Sequence, residues 1–278
     1  MSHVEITKLK EGTRPILFAV HASGGVLTYG RLARHLDSNQ PVYLLKGKGL
    51  DTARHAFRDI HHLARCYAEE IVRIQPDGPF MICGRTGEIV LETGQQLMQL
   101  GKTVSLTIVF DNAPHWEWSK GKEPGRLRRV VFRARRRLSI ATYHLLDRFG
   151  ALSARVSPQL QTVGSLSLFD RVRIKKFSEK RSPIRPKRIN RDLFVDYVVK
   201  PYRAKLVYIQ SIGQKHKKMD YVEKWKAIAD EVVYHMTPGE HSTMYEPPHV
   251  HVLAHLVQKE CDAAVGNVWN NEGDGKES

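Results

Sequence analysis

GPFMICGRTGEIVLETGQQL, residues Gly78 to Leu97, is the stretch on which the fold of this chain turns. Phe80 to Cys83 is a short apolar run suited to a buried strand, and Gly84 to Gly87 is a tight glycine-bearing turn. Leu91, Gln95 and Met98 then recur at helical spacing. A strand, a sharp turn and a helix are the setting of a nucleophile elbow, which lifts one side chain to the top of a sheet. The usual elbow reads G-x-S-x-G; this chain has Gly84-Arg85-Thr86-Gly87-Glu88, with threonine for serine and glutamate for the last glycine.

Upstream of the elbow, Ile16 to Val20 (ILFAV) predicts a strand buried on both faces, leading into the loop His21-Ala22-Ser23-Gly24-Gly25. Leu32, Ala33 and Leu36 mark a helix, Pro41 to Leu45 another strand, and Gly47 to Gly49 a turn. Ile60, Leu63, Ala64, Tyr67, Ile71 and Ile74 predict an amphipathic helix that Pro76 and Gly78 stop. Downstream, Val104 to Phe110 predicts a buried strand ending in Asp111-Asn112-Ala113-Pro114. Lys205 to Gln210 and Glu231 to Met236 predict further strands, with a helix over Met219 to Ala229 between them. His249 to Val257 closes the fold as a helix, and Gly266 to Ser278 is expected to be disordered. Strands alternating with helices predict an α/β fold, a mostly parallel sheet with helices on both faces. In such sheets the reactive residues gather at the carboxyl ends of strands, where His21, Thr86, Asp111 and His241 all fall.

The segment from Trp116 to Tyr202 breaks the rhythm. Leu127 to Phe149 is a helical stretch with Val130, Val131, Ala134, Leu138, Ala141 and Leu145 on one face. A second basic helix (Leu166 to Phe177) and a Pro-rich run (Arg181 to Ile189) follow. Residues 116–202 are therefore expected to be a helical lid inserted between two parts of one core, 1–115 and 203–265, with 266–278 as a tail. Of the chain's 44 Lys and Arg, 21 lie between Lys120 and Arg191, against only 4 of its 29 Asp and Glu. The net charge of +15 thus belongs to the insertion, while the remainder is close to neutral. Such a concentration draws acidic partners by long-range attraction.

With 41% hydrophobic and 26% charged residues the composition is that of a soluble globular protein. No apolar run reaches the length of a membrane span, and the first residues lack a signal peptide's apolar core. Cys66, Cys83 and Cys261 are too far apart to make a metal spacing and read as reduced thiols in a cytoplasmic protein. Cys83, beside the elbow, is expected to point into the core.

Taken together the segments resemble the thioesterase domains of polyketide and non-ribosomal peptide synthesis, members of the α/β-hydrolase fold. The likeness rests on VHASGGVLTYGRLARHL (Val20 to Leu36), QPVYLLKGKGLD (Gln40 to Asp51) and IHHLARCYAEEIVRIQPDGPF (Ile60 to Phe80). VFDNAP (Val109 to Pro114) and TPGEHSTMYEPPHVHVLAHL (Thr237 to Leu256) complete it, in the family's order. The resemblance implies His241 as general base and Asp111 as its orienting acid. It implies the backbone N–H groups of Ala22 and Gly87 as the oxyanion hole. Such a set is needed because a hydroxyl attacks only as it loses its proton to a neighbouring imidazole, and the oxyanion that forms needs paired donors.

Aligned from the strand side, Thr86 takes the family serine's place. Aligned back from Glu92 and Leu97, or from Asp111, Gly84 takes it, and the elbow is about two residues short. Thr86 brings a hydroxyl on a β-branched residue that strained backbone disfavours, whereas Gly84 suits that backbone and has nothing to react with. Asp111 also suits a plain turn cap, and Asp220 stands as an alternative acid. Arg85 and Glu88 are read either as a solvated pair or as the lining of an altered pocket.

The Arg126 to Arg137 run is either a solvated helix face or a docking surface, with Arg129, Arg133 and Arg136 as contact candidates. The resemblance implies an acyl or peptidyl carrier protein, or acyl-CoA, as the acidic partner, the substrate bringing its own phosphopantetheine or CoA. No cofactor or metal of the protein's own is expected. Few aromatics in the basic segment argue against nucleic acid, and an amphipathic helix leaves membrane-surface binding open. The expected function is acyl transfer from a thioester to water, or to an amine or alcohol, in secondary metabolism. The alternative is an altered homologue that binds a carrier, or uses His241 as a base with no covalent intermediate.

Overall fold

The computed structural model describes residues 3–21, 25–50, 56–112, 193–194, 197–213 and 221–273, with side chains to 266. Seven strands form one sheet: β1 (Val4–Lys10), β2 (Leu17–His21), β3 (Val42–Gly47), β4 (Phe80–Gly84), β5 (Val104–Phe110), β6 (Tyr202–Ser211) and β7 (Ala229–Thr237). Their spatial order is β1-β3-β2-β4-β5-β6-β7. Only β1 runs antiparallel, against β3; every other pairing is parallel. The α/β-hydrolase sheet expected from the sequence is present. The edge strand β1 was not anticipated: it is mostly polar, VEITKLK, with only Val4 fully buried.

Five helices flank the sheet among the described residues: α1 (Val26–His35), α2 (Ile60–Ile74), α3 (Gly87–Gln99), α4 (Val222–Lys226) and α5 (His249–Gly273). Successive strand residues point to opposite faces, and both faces are covered. Phe18, Val20, Phe80 and Ile82 pack with Leu63 and Tyr67 of α2, Ile89 of α3 and Trp225 of α4. Leu17, Ala19, Met81 and Cys83 pack with Leu32 of α1 and with Leu253, Val257 and Cys261 of α5. Each such aliphatic side chain taken out of water contributes roughly 1.5–3 kcal/mol. Cys83 is fully buried, as expected of a core thiol.

Asp59 caps α2 by accepting from His62 N–H at 2.8 Å. The closing helix continues through Gly266 to Gly273, past the Val257 where its apolar spacing fades and into the stretch expected to be disordered. Within Met219 to Ala229 the described helix is short, Val222–Lys226, and β7 already begins at Ala229. The expected lid lies outside the described residues except for 193–194 and 197–202. Among the described residues no helix is long and apolar enough to cross a membrane.

Candidate active site

The parallel strands β2, β4, β5, β6 and β7 end on one edge, and the candidate residues are strung along it. Asp111 follows β5 directly. Its backbone is left-handed, with φ 47°, a conformation that costs a non-glycine residue about 1–3 kcal/mol. It is held there from two sides. Its N–H donates to the Ile209 carbonyl at 2.8 Å, and its carboxylate accepts from Ser211 N–H at 2.7 Å and from Ser211 Oγ at 2.9 Å. Asp111 and Ser211 are both buried.

His241 sits in the loop after β7. Gly239 turns that loop with φ 92°, and Glu240 N–H donates to Thr243 Oγ1 at 2.9 Å. The Glu240 carbonyl accepts from Met244 N–H at 2.9 Å, opening the short 3-10 turn Thr243–Tyr245. So fixed, His241 Nδ1 lies 3.0 Å from Asp111 Oδ2 and 3.1 Å from the Asp111 carbonyl oxygen. Both of these oxygens only accept, so a neutral His241 carries its proton on Nδ1 and leaves Nε2 basic. The Asp111 side chain is fully buried while that of His241 is 41% exposed, so the imidazole connects a buried charge to the outside. Asp111 is the acid that the fold brings to the histidine; Asp220 lies outside the described residues.

The elbow differs from expectation. Gly84 ends β4, and a Cβ there would lie 2.6 Å from both the Val20 carbonyl and Val90 Cγ2. The strand therefore needs glycine for close packing. Thr86 precedes the first residue of α3 and has φ −98° and ψ 94°, ordinary extended backbone without elbow strain. Its carbonyl accepts from Ile89 and Val90 N–H, and its half-buried hydroxyl makes no hydrogen bond to a described residue. Gly87 opens α3, where the first N–H groups of a helix have no intrahelical partner; a Cβ at Gly87 would collide with the Trp225 ring. Ala22 lies outside the described residues, as do Arg129, Arg133 and Arg136.

Arg85 and Glu88 are no solvated pair. Glu88 is only 2% exposed, because the first turn of α3 is packed under the sheet edge. The Arg85 guanidinium lies 5.5 Å from the centroid of the Tyr245 ring and donates to the His241 carbonyl at 3.3 Å. Arg85 N–H donates to Tyr29 Oη at 2.9 Å, and Asn112 Nδ2 donates to the Arg85 carbonyl at 2.8 Å. Trp225 Nε1 in turn donates to the Asn112 carbonyl at 3.0 Å. Burial pushes the hydroxyls of Tyr29 and Tyr245 far above the ordinary phenol range, so both stay neutral donors or acceptors. Ser211, Asn112, Tyr29 and Tyr245 were not singled out from the sequence. Of these, Ser211 and Asn112 alone carry a signal, their place at the ends of β6 and β5.

A second polar knot lies away from this edge. Buried Glu92 of α3 accepts from Gln96 Nε2 at 2.9 Å and Tyr197 Oη at 3.3 Å, and lies 2.8 Å from His61 Nδ1. With Ile60 N–H donating to the Leu193 carbonyl, it ties the chain at 193 and 197 to α2 and α3. Among the described residues no group of His, Cys, Asp and Glu is placed to hold a metal ion.

The family model described as thioesterase domain matches residues 14–260. Similar curated proteins include an inactive atromentin synthetase of Paxillus involutus, 32% identical over 117 residues, covering 40% of this chain and 12% of the relative. An atromentin synthetase of Suillus grevillei is 29% identical over 103 residues, 36% of this chain and 11% of the relative. A dimodular nonribosomal peptide synthase of Bacillus subtilis is 30% identical over 107 residues, 37% of this chain and 4% of the relative. The likeness thus spans a small part of much longer proteins. Among solved structures, the Vlm2 thioesterase domain bound with a dodecadepsipeptide superposes with a TM-score of 0.58 at 20% identity, covering 92% of this chain and 97% of that one. The NocB thioesterase domain from the nocardicin cluster gives 0.58 at 18%, covering 94% and 99%. At these identities the structural likeness is one of fold.

Proposed function

The chain belongs to the thioesterase domain family, and from that premise we propose that it processes acyl thioesters in secondary metabolism, with His241 as general base oriented by Asp111. The observation that carries the proposal is the 3.0 Å contact of His241 Nδ1 with a buried carboxylate, itself held by Ser211. Asp111 fixes the tautomer and balances the imidazolium that forms. Nε2 takes the proton of the attacking hydroxyl, water or amine as a bond forms to the thioester carbonyl, then returns it to the departing thiolate as the C–S bond breaks. The Gly87 N–H at the head of α3, with that of Ala22, is the proposed donor set for the oxyanion. The acyl group would arrive on a carrier protein or CoA, with the basic insertion and Arg129, Arg133 and Arg136 meeting its acidic surface, in the cytoplasm.

The unstrained backbone of Thr86 supports a second reading. In it His241 activates water or a bound acceptor directly, with no acyl-enzyme. The test is thiol release from acyl thioesters of CoA and of carrier protein, with intact protein mass, for wild type and Thr86→Ala. Turnover or an acyl adduct that vanishes in the variant identifies Thr86 as nucleophile. Turnover that survives without an adduct identifies direct transfer. Absence of turnover throughout would overturn the enzymatic proposal.

A further inference from the structure

Arg85 stands at the elbow with both backbone groups committed, its N–H to Tyr29 and its carbonyl to Asn112. That anchoring sends the side chain toward the histidine loop, where it rests on the Tyr245 ring and touches the His241 carbonyl. A guanidinium has five N–H donors in a planar fork. Here a single bond of 3.3 Å uses one of them, and no carboxylate among the described residues pairs with it. Other arginines of the chain do find carboxylates, Arg31 with Glu246 at 2.7 Å and Arg73 with Glu70 at 2.6 Å. Beneath Arg85, the buried Tyr245 hydroxyl also has no hydrogen-bond partner among the described residues.

Resting on the thioester reading above, we propose that Arg85 is a recognition site for a carboxylate carried by the acyl group, close to the carbonyl that reacts at His241. The planar fork matches a carboxylate with two parallel bonds, and the half-buried setting strengthens them. A phosphate of the pantetheine arm is the other anion such a substrate brings. It sits at the opposite end of the arm from the thioester, so a thioester placed at His241 holds it away from Arg85.

The test is a binding titration, which needs no turnover. The probes are thioethers of pantetheine and of phosphopantetheine, ending in a carboxylate or in the matching carboxamide over a series of chain lengths. Wild type is expected to favour the carboxylate at its best chain length, on either arm, by about 10- to 100-fold, the worth of a hydrogen bond to a charged group. Arg85→Met is expected to erase the preference, and Arg85→Lys, which keeps the charge without the fork, to retain part of it. A wild type with no carboxylate preference, a preference unchanged in Arg85→Met, or affinity that follows the phosphate instead would each overturn the assignment. A carboxylate preference without thioester turnover would sink the enzymatic reading and leave this site standing.

Discussion

Asp111→Asn isolates what holds the base. The carboxylate accepts from a backbone N–H and a hydroxyl of Ser211 and from the imidazole. In the variant the amide has one acceptor oxygen and one NH2 group. Ser211 N–H can only donate, and leaving it buried against another donor would cost about 1–3 kcal/mol. The amide oxygen is therefore drawn to the Oδ1 position, facing Ser211 N–H at 2.7 Å in the parent. The NH2 then faces Ser211 Oγ, which rotates to accept, and His241 Nδ1. This NH2 competes for Nδ1 with the Asp111 carbonyl, an acceptor at 3.1 Å that the substitution leaves in place. Where Nδ1 turns to accept from the amide, the ring proton moves to Nε2 and the base is lost. A wrong tautomer of this kind costs about 10⁴-fold in kcat in the serine-protease triad, and a loss of about 10³ to 10⁴ is expected here. Two assays read it: thiol release, and nitrogen NMR of the neutral His241 ring, which should shift from the Nδ1–H to the Nε2–H form. An unchanged tautomer, or turnover within tenfold of wild type, would refute the reasoning.

Ser211→Ala removes one bond to the same Asp111 oxygen that meets His241. Thiol release should fall about 10-fold or more through kcat, the loss expected of a bond to a charged group, with KM little changed. Gly84→Ala should destabilise the fold by about 1–3 kcal/mol, read as a lower denaturant midpoint, because the new methyl meets the Val20 carbonyl and Val90. Burial pushes the Cys261 thiol up to about 12 from an ordinary value near 9.0 and the Cys66 thiol up to about 11, and holds Cys83 well above that ordinary value. All three should therefore resist alkylation at pH 8 until the protein is unfolded. Unfolded thiols lose their protons first as pH rises, so the thiol contribution is intact below about 9 and erodes toward 12, and the denaturant midpoint should fall across that range.

The parallel sheet was legible because its central strands are buried on both faces and read as unbroken apolar runs, as in ILFAV and VSLTIVF. The position of Asp111 and His241 was legible for a related reason: chain direction puts them, with His21 and Thr86, on the edge where parallel strands end. Their roles came from the resemblance of VFDNAP and TPGEHSTMYEPPHVHVLAHL to the thioesterase domains. The polar edge strand β1, solvated on much of its length, carries no such run. The sequence left Glu88 open between a solvated pair with Arg85 and a pocket lining because a charged residue is ordinarily solvated, and only the packing of α3 buries it and removes the first reading. Tyr29 and Tyr245 carry no signal in the sequence; their place around Arg85 depends on α1 and the histidine loop meeting in space, which no local pattern encodes. Ser211 lies 100 residues from the aspartate it holds.

The most direct measurement is thiol release from the acyl-thioester panel by wild type and by His241→Ala, at equal concentration and with melting curves to confirm that both are folded. A general base of this kind contributes about 10² to 10⁴ in rate, so the variant should lose turnover by at least the lower factor. Equal turnover by the two proteins would contradict the role of His241 and, with it, the function proposed here.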